Sequence, residues 1–279
     1  MSGRLSYHEG NVQANGITIH YYRTGGDKPP LVLAHGFTDN GLCWTRVAGA
    51  LAEDYDLVMV DARGHGKSAR AEVPFSSDDQ ANDLAEVIRA LGLERPAVLG
   101  HSMGAATTAL LAARYPDLPR CILLEDPPWF LGVPPGADDP VENPWFTWLR
   151  TVHTLSHAEL VTGCKTDNPG WDDIECTHWA ESKQQFDVRV LDYIPGPFAF
   201  HWSDMIPRIA CPILLITGDS EKRGALVSAE TAESILKLAR HGQVAHIPEA
   251  GHSIHRDQFE PYLTAVKAFL HEQMKQAAG

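Results

Sequence analysis

The sequence predicts an α/β protein in which helices cover both faces of a mostly parallel sheet. Three observations predict this class: short aliphatic runs recur along the chain, segments with helical periodicity separate them, and turn residues follow the runs. Runs of this kind are typical of parallel strands that are buried on both faces. Their alternation with helices favours right-handed crossover connections between neighbouring strands.

The predicted elements follow in chain order. Residues 17–21 alternate between apolar and polar side chains and predict an antiparallel edge strand. Buried strands are predicted at residues 31–34, 57–60, 97–99, 121–124 and 213–216, and a final apolar segment lies at 244–247. Helices are predicted at residues 78–91, 103–115, 228–239 and 258–274. Gly92 and Pro116 directly follow the first two helices and are typical stop signals.

The alternation breaks between about residue 127 and residue 207. This interval contains six of the seven tryptophans and two turn-rich tracts, PPWFLGVPPG and IPGPF. We interpret it as a helical lid inserted after the sixth strand, which is the strand at 121–124. The predicted organisation is therefore a core domain formed by residues 1–127 and 207–279, with a lid formed by residues 128–206.

Composition excludes several classes of function. The chain of 279 residues has a net charge of −13 and no lysine or arginine cluster, so we expect no nucleic-acid partner. The five cysteines never occur as CxxC and the histidines never as HExxH, so neither a disulfide framework nor a metal site is expected. No nucleotide-binding glycine motif occurs, and we expect no cofactor. Without an apolar leader or a long apolar stretch, we expect a cytoplasmic protein with no membrane partner.

The pentapeptide at residues 100–104, Gly-His-Ser-Met-Gly, carries the strongest chemical signal. It follows a predicted strand and opens a predicted helix. A sharp turn in that context holds its central residue in a strained conformation and exposes its hydroxyl. The turn also directs the amide groups of the helix N-terminus at a developing oxyanion. We therefore predict that Ser102 is a nucleophile. His101 is interpreted as structural or pocket-lining.

With this motif in place, the chain resembles the α/β-hydrolase family, lidded serine esterase or lactonase type, over nearly its whole length. The resemblance implies an eight-stranded, mostly parallel sheet flanked by helices. It also implies catalytic residues in the order serine, acid, histidine, all on loops after strands. The tract His35-Gly36-Phe37 is similar to the family's oxyanion loop, which implies that the backbone N–H groups of Phe37 and Met103 form the oxyanion hole. The loop at residues 61–68, DARGHGKS, matches a family loop that is structural, and His35 is interpreted as fastening its own loop.

The base is predicted from residues 250–253, Ala-Gly-His-Ser, which follow the last apolar segment and precede the last helix. The family carries its catalytic base after the final strand, and among fourteen histidines only His252 has both this local sequence and this chain order. An imidazole titrates near neutral pH, so it can accept the serine proton and return it. His255 is the main competing residue.

The sequence identifies the catalytic acid less clearly than the serine and the histidine. The family usually places it three residues after the glycine that ends the strand at 213–216, and counting from Gly218 gives Glu221. Some members carry it after the preceding strand instead, which would select Asp126 or Glu125, and Asp219 is a further alternative. We favour Glu221, and expect Glu221→Gln to lower turnover by orders of magnitude with a milder effect from Asp219→Asn.

The predicted function is hydrolysis of carboxylic esters through an acyl-enzyme intermediate, that is, a carboxylesterase acting on a small molecule. The leading alternative is a lactonase acting on N-acyl-homoserine lactones or related cyclic esters. A more remote alternative is a non-catalytic ligand receptor on the same fold, and perhydrolysis is a further activity to assay. A serine at the turn argues against dehalogenases and epoxide hydrolases, which use aspartate there in this family. The aromatic lid suggests an apolar acyl pocket, and the candidate pocket residues are Trp129, Trp145, Trp148 and Trp179.

Overall fold

The computed structural model describes residues 6–70, 74–129, 144–193 and 202–275. Within these ranges the strands are β1 His8–Ala14, β2 Ile17–Arg23, β3 Pro30–Ala34, β4 Asp56–Val60, β5 Ala97–His101, β6 Cys121–Glu125, β7 Ile213–Thr217 and β8 Gly242–His246. The helices are α1 Thr45–Leu51, α2 Ser77–Ala90, α3 Met103–Arg114, α4 Pro144–Thr151, α5 His157–Asp167, α6 Asp173–Gln185, α7 Val190–Tyr193, α8 Trp202–Met205, α9 Ser220–Arg223, α10 Ala229–Leu238, α11 Ile254–Asp257 and α12 Phe259–Lys275.

The strands form one eight-stranded sheet in the order β1-β2-β4-β3-β5-β6-β7-β8. From β4 to β8 all neighbouring strands are parallel, whereas β1 and β2 are antiparallel additions at one end. The predicted fold class is confirmed. One detail is wrong, because the strand at 17–21 is not at the edge: β2 pairs with β1 on one side and with β4 on the other. The sequence of β1, HEGNVQA, is polar and carries no apolar strand signal, so no strand is predicted there from the sequence.

The core consists of one apolar layer on each face of the sheet. Alternate residues of the central strands point to opposite faces, because side chains alternate along a strand. Members of one layer include Val32, Val98 and Ile122, which pack with residues of α2 and α3. Members of the other include Leu33, Leu99 and Leu123, which pack with residues of α1 and α12. All five residues of β4, β5 and β6 are buried, as expected for parallel strands covered on both sides.

The carboxyl ends of the parallel strands lie along one edge of the sheet, and helices α4 to α8 lie between β6 and β7 in the chain. We call α4 to α8 the inserted helices. They fall inside the predicted lid at 128–206, whose exact boundaries stay a prediction. Among the described residues, no helix combines the length and the apolar character that crossing a bilayer requires.

Candidate active site

Ser102 occupies a strained turn between β5 and α3. Its backbone angles are φ 52° and ψ −117°, a region that residues with a side chain rarely adopt. The flanking glycines are required by close packing. A Cβ atom on Gly100 would lie 2.2 Å from the carbonyl oxygen of Gly104, and a Cβ on Gly104 would lie 2.2 Å from that of Ala34. Bulkier residues at these two positions would push the turn apart and displace the serine.

The loop after β3 reaches the same point. A Cβ atom on Gly36 would lie 3.6 Å from the Cβ of Ser102, so the backbone preceding Phe37 lies directly against the serine. On the other side, Met103 is the first residue of α3, and the first amide groups of a helix have no acceptor within it. Both backbone positions predicted for the oxyanion hole therefore flank Ser102, and their role stays a prediction.

The partner of His252 is Asp126. The Nδ1 atom of His252 lies 2.7 Å from Oδ2 of Asp126, a charge-assisted hydrogen-bond distance. Asp126 directly follows β6 and is itself held with φ 41°. Its two carboxylate oxygens also accept hydrogen bonds from the backbone N–H groups of Leu226, at 2.8 Å, and Val227, at 3.0 Å. These contacts fix the orientation of a carboxylate that is completely buried.

The favoured prediction of Glu221 as the acid is therefore corrected. Glu221 lies on the short helix α9 with an exposed side chain, while the imidazole bonds to Asp126. Asp219 is engaged elsewhere, because its Oδ2 accepts the backbone N–H of Glu249 at 2.7 Å. The reason is the path of the chain after β7: it turns through α9 and brings the backbone amides of Leu226 and Val227 to Asp126, while Glu221 stays exposed.

Glu125, the other alternative acid, pairs with a different histidine. Its Oε1 lies 2.8 Å from Nδ1 of His255 and accepts the backbone N–H of the same residue at 3.0 Å. Both side chains are at most 1% exposed. Burial raises the pKa of Glu125. Burial, with a further contribution from the nearby Arg256 charge, lowers the pKa of His255 to about 3. Both shifts favour the uncharged forms.

The electrostatics of His252 are different. Burial lowers its pKa, but the hydrogen bond and the charge of Asp126 outweigh burial and leave the pKa raised above the ordinary value of 6.5. Its side chain is 35% exposed and lines a cavity that also contains Ser102. Behind it, Nε2 of His101 lies 3.0 Å from the backbone carbonyl oxygen of His252. Burial lowers the pKa of His101 to about 3, so a neutral ring donates this bond.

The cavity has a volume of about 640 Å³. Its floor is formed by residues of the core, and its opposite wall by residues of the inserted helices. Among the predicted pocket residues, Trp148 and Trp179 line it and stack on each other with ring centroids 6.0 Å apart. Trp129 does not line it, because this ring is fully buried and stacks on Trp202 within the core. Trp145 lies in α4, and its side chain falls outside the described residues.

A buried ion network that no sequence pattern predicts lies beside the serine. Asp39 accepts hydrogen bonds from Nζ of Lys183, at 3.0 Å, and from Nη2 of Arg256, at 2.8 Å. Lys183 also donates to the carbonyl oxygen of Thr38 at 2.9 Å, and Nε of Arg256 lies 3.3 Å from Oε2 of Glu175. Burial raises the pKa of Asp39, but the charges of Arg256 and Lys183 outweigh burial and hold that pKa well below its usual value.

This network joins three parts of the chain. Asp39 follows the oxyanion loop, Arg256 lies in α11 just after His252, and Lys183 belongs to the inserted helix α6. No local motif distinguishes these residues from surface charges, since their partners lie 144 and 217 positions away along the chain. The two cations and Asp39 line the cavity, so its wall is less apolar than the tryptophan content predicted.

The residues interpreted as structural have structural contacts. His35 binds the carbonyl oxygen of Gly36 through Nδ1 at 2.7 Å and accepts the N–H of Ala62 through Nε2 at 3.0 Å, which fastens its loop. Asp61 accepts the N–H groups of Gly41 and Lys67, at 2.7 and 2.9 Å. In the ranges that the structure describes, no group of three or more potential ligand side chains could hold a metal ion.

The sequence model of the alpha/beta hydrolase family matches residues 31–265, which include the serine turn, Asp126 and His252. The chain belongs to the alpha/beta hydrolase family. Among curated members, N-formylmaleamate deformylase from Pseudomonas putida is 31% identical over 272 residues, covering 94% of this chain and 96% of the relative. The 2-(acetamidomethylene)succinate hydrolase of Mesorhizobium japonicum is 28% identical and covers 93% and 94% of the two chains.

Solved structures share the fold of this chain. The crystal structure of an N-formylmaleamic acid deformylase from Pseudomonas putida matches with a TM-score of 0.76 at 28% identity, covering 93% of this chain and all of the other. A naproxen esterase from Bacillus subtilis has a TM-score of 0.74 at 19% identity, covering 96% and 93% of the two chains, a likeness of fold alone. The two curated relatives are named as a deformylase and a hydrolase, which supports hydrolase activity for this protein.

Proposed function

We propose that this protein is a serine hydrolase that cleaves the acyl bond of a small carboxylic ester or amide through an acyl-enzyme. The observation that carries the proposal is the 2.7 Å bond between Nδ1 of His252 and Asp126, next to a cavity shared with Ser102. A carboxylate on Nδ1 fixes the tautomer whose Nε2 can accept a proton, and it stabilises the imidazolium that then forms.

In the proposed reaction, the Oγ of Ser102 attacks the substrate carbonyl carbon while Nε2 of His252 takes the hydroxyl proton. The negative charge that develops on the carbonyl oxygen is stabilised by the backbone N–H groups of Phe37 and Met103; one such donor is typically worth about 3 kcal/mol. The imidazolium then protonates the departing alcohol or amine. Water, activated by the neutral His252, hydrolyses the acyl-enzyme and releases the acid.

The sequence pattern favoured an ester as substrate, with a lactone as the alternative. The comparisons favour an amide as a second candidate, because the two curated relatives described above are named for a deformylase and for the hydrolysis of an acetamido compound. Both names also denote carboxylic acids. The cations Lys183 and Arg256 on the cavity wall are compatible with an acidic substrate, although both already bind Asp39.

The first experiment labels the nucleophile. We expect a fluorophosphonate probe to modify one residue per chain, Ser102, and to leave Ser102→Ala unlabelled. Ser253→Ala is the matched control, because Ser253 lines the same cavity and should not alter labelling. A protein that binds small ligands but is neither labelled nor active would support the receptor alternative and contradict the proposal.

Substrate class is tested on fresh enzyme that has not been exposed to the probe. The panel compares acetyl and butyryl esters, lactones of the same acyl groups, and N-formyl and N-acetyl amides of small unsaturated acids, with Ser102→Ala as the blank. Faster turnover of the acidic amides than of neutral amides would favour the second candidate. Turnover confined to open-chain or cyclic esters would favour the ester or lactone.

A further inference from the structure

Two cysteines of the inserted helices face each other. Sγ of Cys164, on α5, lies 2.9 Å from Sγ of Cys176, on α6. Both residues are free thiols and are at most 1% exposed. A disulfide has its sulfur atoms about 2.05 Å apart, so the two atoms need to approach by only roughly 0.9 Å to bond. No CxxC spacing marks the pair, since 12 positions separate the two residues.

We propose that Cys164 and Cys176 are a site of reversible oxidation, at which a disulfide bond ties α5 to α6. Cys43 provides a contrast, because its thiol is directed at the backbone carbonyl oxygen of His178, 3.7 Å away, rather than at another sulfur. The proposal is independent of the hydrolase chemistry, because neither cysteine lies among the residues lining the cavity.

The burial of the pair requires that α5 open before an oxidant can reach it. Of the eleven residues of α5, only Leu160 and Cys164 are buried. An element with so few buried contacts opens locally at a small fraction of the cost of global unfolding. In the closed state, burial and the neighbouring Cys176 thiol raise the pKa of Cys164, which keeps it protonated and unreactive. Oxidation therefore proceeds from the open state.

The oxidant is a low-molecular-weight disulfide such as oxidised glutathione. One cysteine loses its proton, and its thiolate attacks a sulfur of the oxidant, releasing one glutathione thiolate and leaving a mixed disulfide. The second cysteine then loses its proton and displaces the remaining glutathione. Two protein thiols thereby lose two protons and two electrons, and one glutathione disulfide is reduced to two glutathione molecules.

The consequence for the molecule follows from what the two helices contribute. Leu160 and Gly163 of α5, together with Trp179 and Lys183 of α6, line the cavity above Ser102. A bond between the helices closes the 12-residue interval and restricts the opening of α5. Oxidation should therefore make the cavity wall more rigid, and reduction should release it.

The experiment compares the wild type with three variants after incubation with oxidised glutathione, under conditions that fully oxidise dithiothreitol. We expect the wild type to fall from five free thiols to three, and Cys43→Ala from four to two. Cys164→Ala and Cys176→Ala should form no internal disulfide. Peptide mapping of the wild type by mass spectrometry should recover a linked pair that contains both cysteines and lacks two hydrogens.

Hydrogen exchange supplies a second readout. We expect the amides of α5 to exchange at least several-fold more slowly in the oxidised protein than in the reduced one, with no change in α2. Five remaining thiols after incubation, both in buffer and in urea below the unfolding transition, would overturn the proposal. A stable mixed disulfide on one cysteine, or a disulfide joining other cysteines, would also overturn it.

Discussion

Two carboxylate–histidine pairs lie side by side in this molecule and behave in opposite ways. Glu125 and Asp126 are consecutive residues at the end of β6, and each bonds to Nδ1 of a histidine from the same short segment, His255 and His252. The Glu125 pair is sealed in the core, with both shifts of pKa favouring neutral groups. The Asp126 pair opens on the cavity, and its histidine has a raised pKa.

The difference teaches that a carboxylate next to an imidazole does not by itself identify an acid–base pair. The two pairs differ in their exposure to the cavity and in the number of backbone N–H groups that stabilise the carboxylate. Asp126 receives two backbone N–H groups, which stabilise its charge and let it raise the pKa of a partly exposed histidine. Glu125 is completely buried, where desolvation raises its pKa, and its histidine stacks against Trp44 with ring centroids 4.7 Å apart.

The largest effect should come from removing the negative charge of Asp126, the partner of His252. We expect Asp126→Asn to lower kcat by about 10⁴-fold, because an amide cannot hold the same tautomer or stabilise the imidazolium. Glu221→Gln is the matched control and should change kcat less than about threefold, since that side chain is exposed. Steady-state kinetics on the best substrate of the panel measures both. A large loss in Glu221→Gln with a small one in Asp126→Asn would restore the original assignment.

Substitutions in the buried pair of Glu125 and His255 should affect stability and not turnover. Glu125→Leu leaves the Nδ1 and backbone N–H groups of His255 without an acceptor, which should lower the free energy of unfolding by about 2 kcal/mol. Because this pair does not reach the cavity, kcat of the folded fraction should change less than about tenfold. Glu125→Gln keeps a carbonyl acceptor and should be close to the wild type. Urea unfolding and activity on the same samples test this, and a loss of kcat comparable with that of Asp126→Asn would remove the distinction between the pairs.

The smallest effect concerns the pH at which His252 titrates. The neutral imidazole is the base, so kcat/KM should fall as the pH drops through the raised pKa of the histidine, above 6.5. Asp39 contributes to that raised pKa through its charge. Replacing Asp39 by Asn removes a negative charge and therefore disfavours the imidazolium. The fall of kcat/KM at low pH, which we call the acid limb of the pH profile, should then move to lower pH by less than about one unit.

The exposed Asp167, which also lines the cavity, provides the control for this shift. Asp167→Asn should leave the limb in place, because solvent screens its charge. Asp39→Asn also leaves Lys183 and Arg256 with less compensating charge, so its folding is checked first by thermal unfolding. A limb that moves to higher pH in the folded variant would contradict the electrostatic assignment of His252.

The sequence was sufficient for the fold, and it selected Ser102 and His252, two residues that the structure brings to one cavity. Hydrophobic periodicity predicted the parallel sheet, and the glycines around Ser102 indicated a tight turn whose packing distances now explain why no Cβ fits there. The strand β1 was not predicted, because its sequence is polar. Trp129 was predicted to line the pocket, because composition does not distinguish an aromatic residue of the core from one that lines a cavity. The chemical roles of Ser102 and His252 stay predictions that the cavity makes testable.

By itself, then, the sequence determined those features that depend on neighbouring residues: strand and helix periodicity, the serine turn and the histidine after the last strand. Only the tertiary structure decided which carboxylate faces the imidazole, and which charges, tryptophans and cysteines meet. The physical reason is that these contacts join residues more than a hundred positions apart, as for Asp126 with His252, or join separate helices, as for Cys164 with Cys176. Their energies depend on burial and geometry, which no local pattern of residues records.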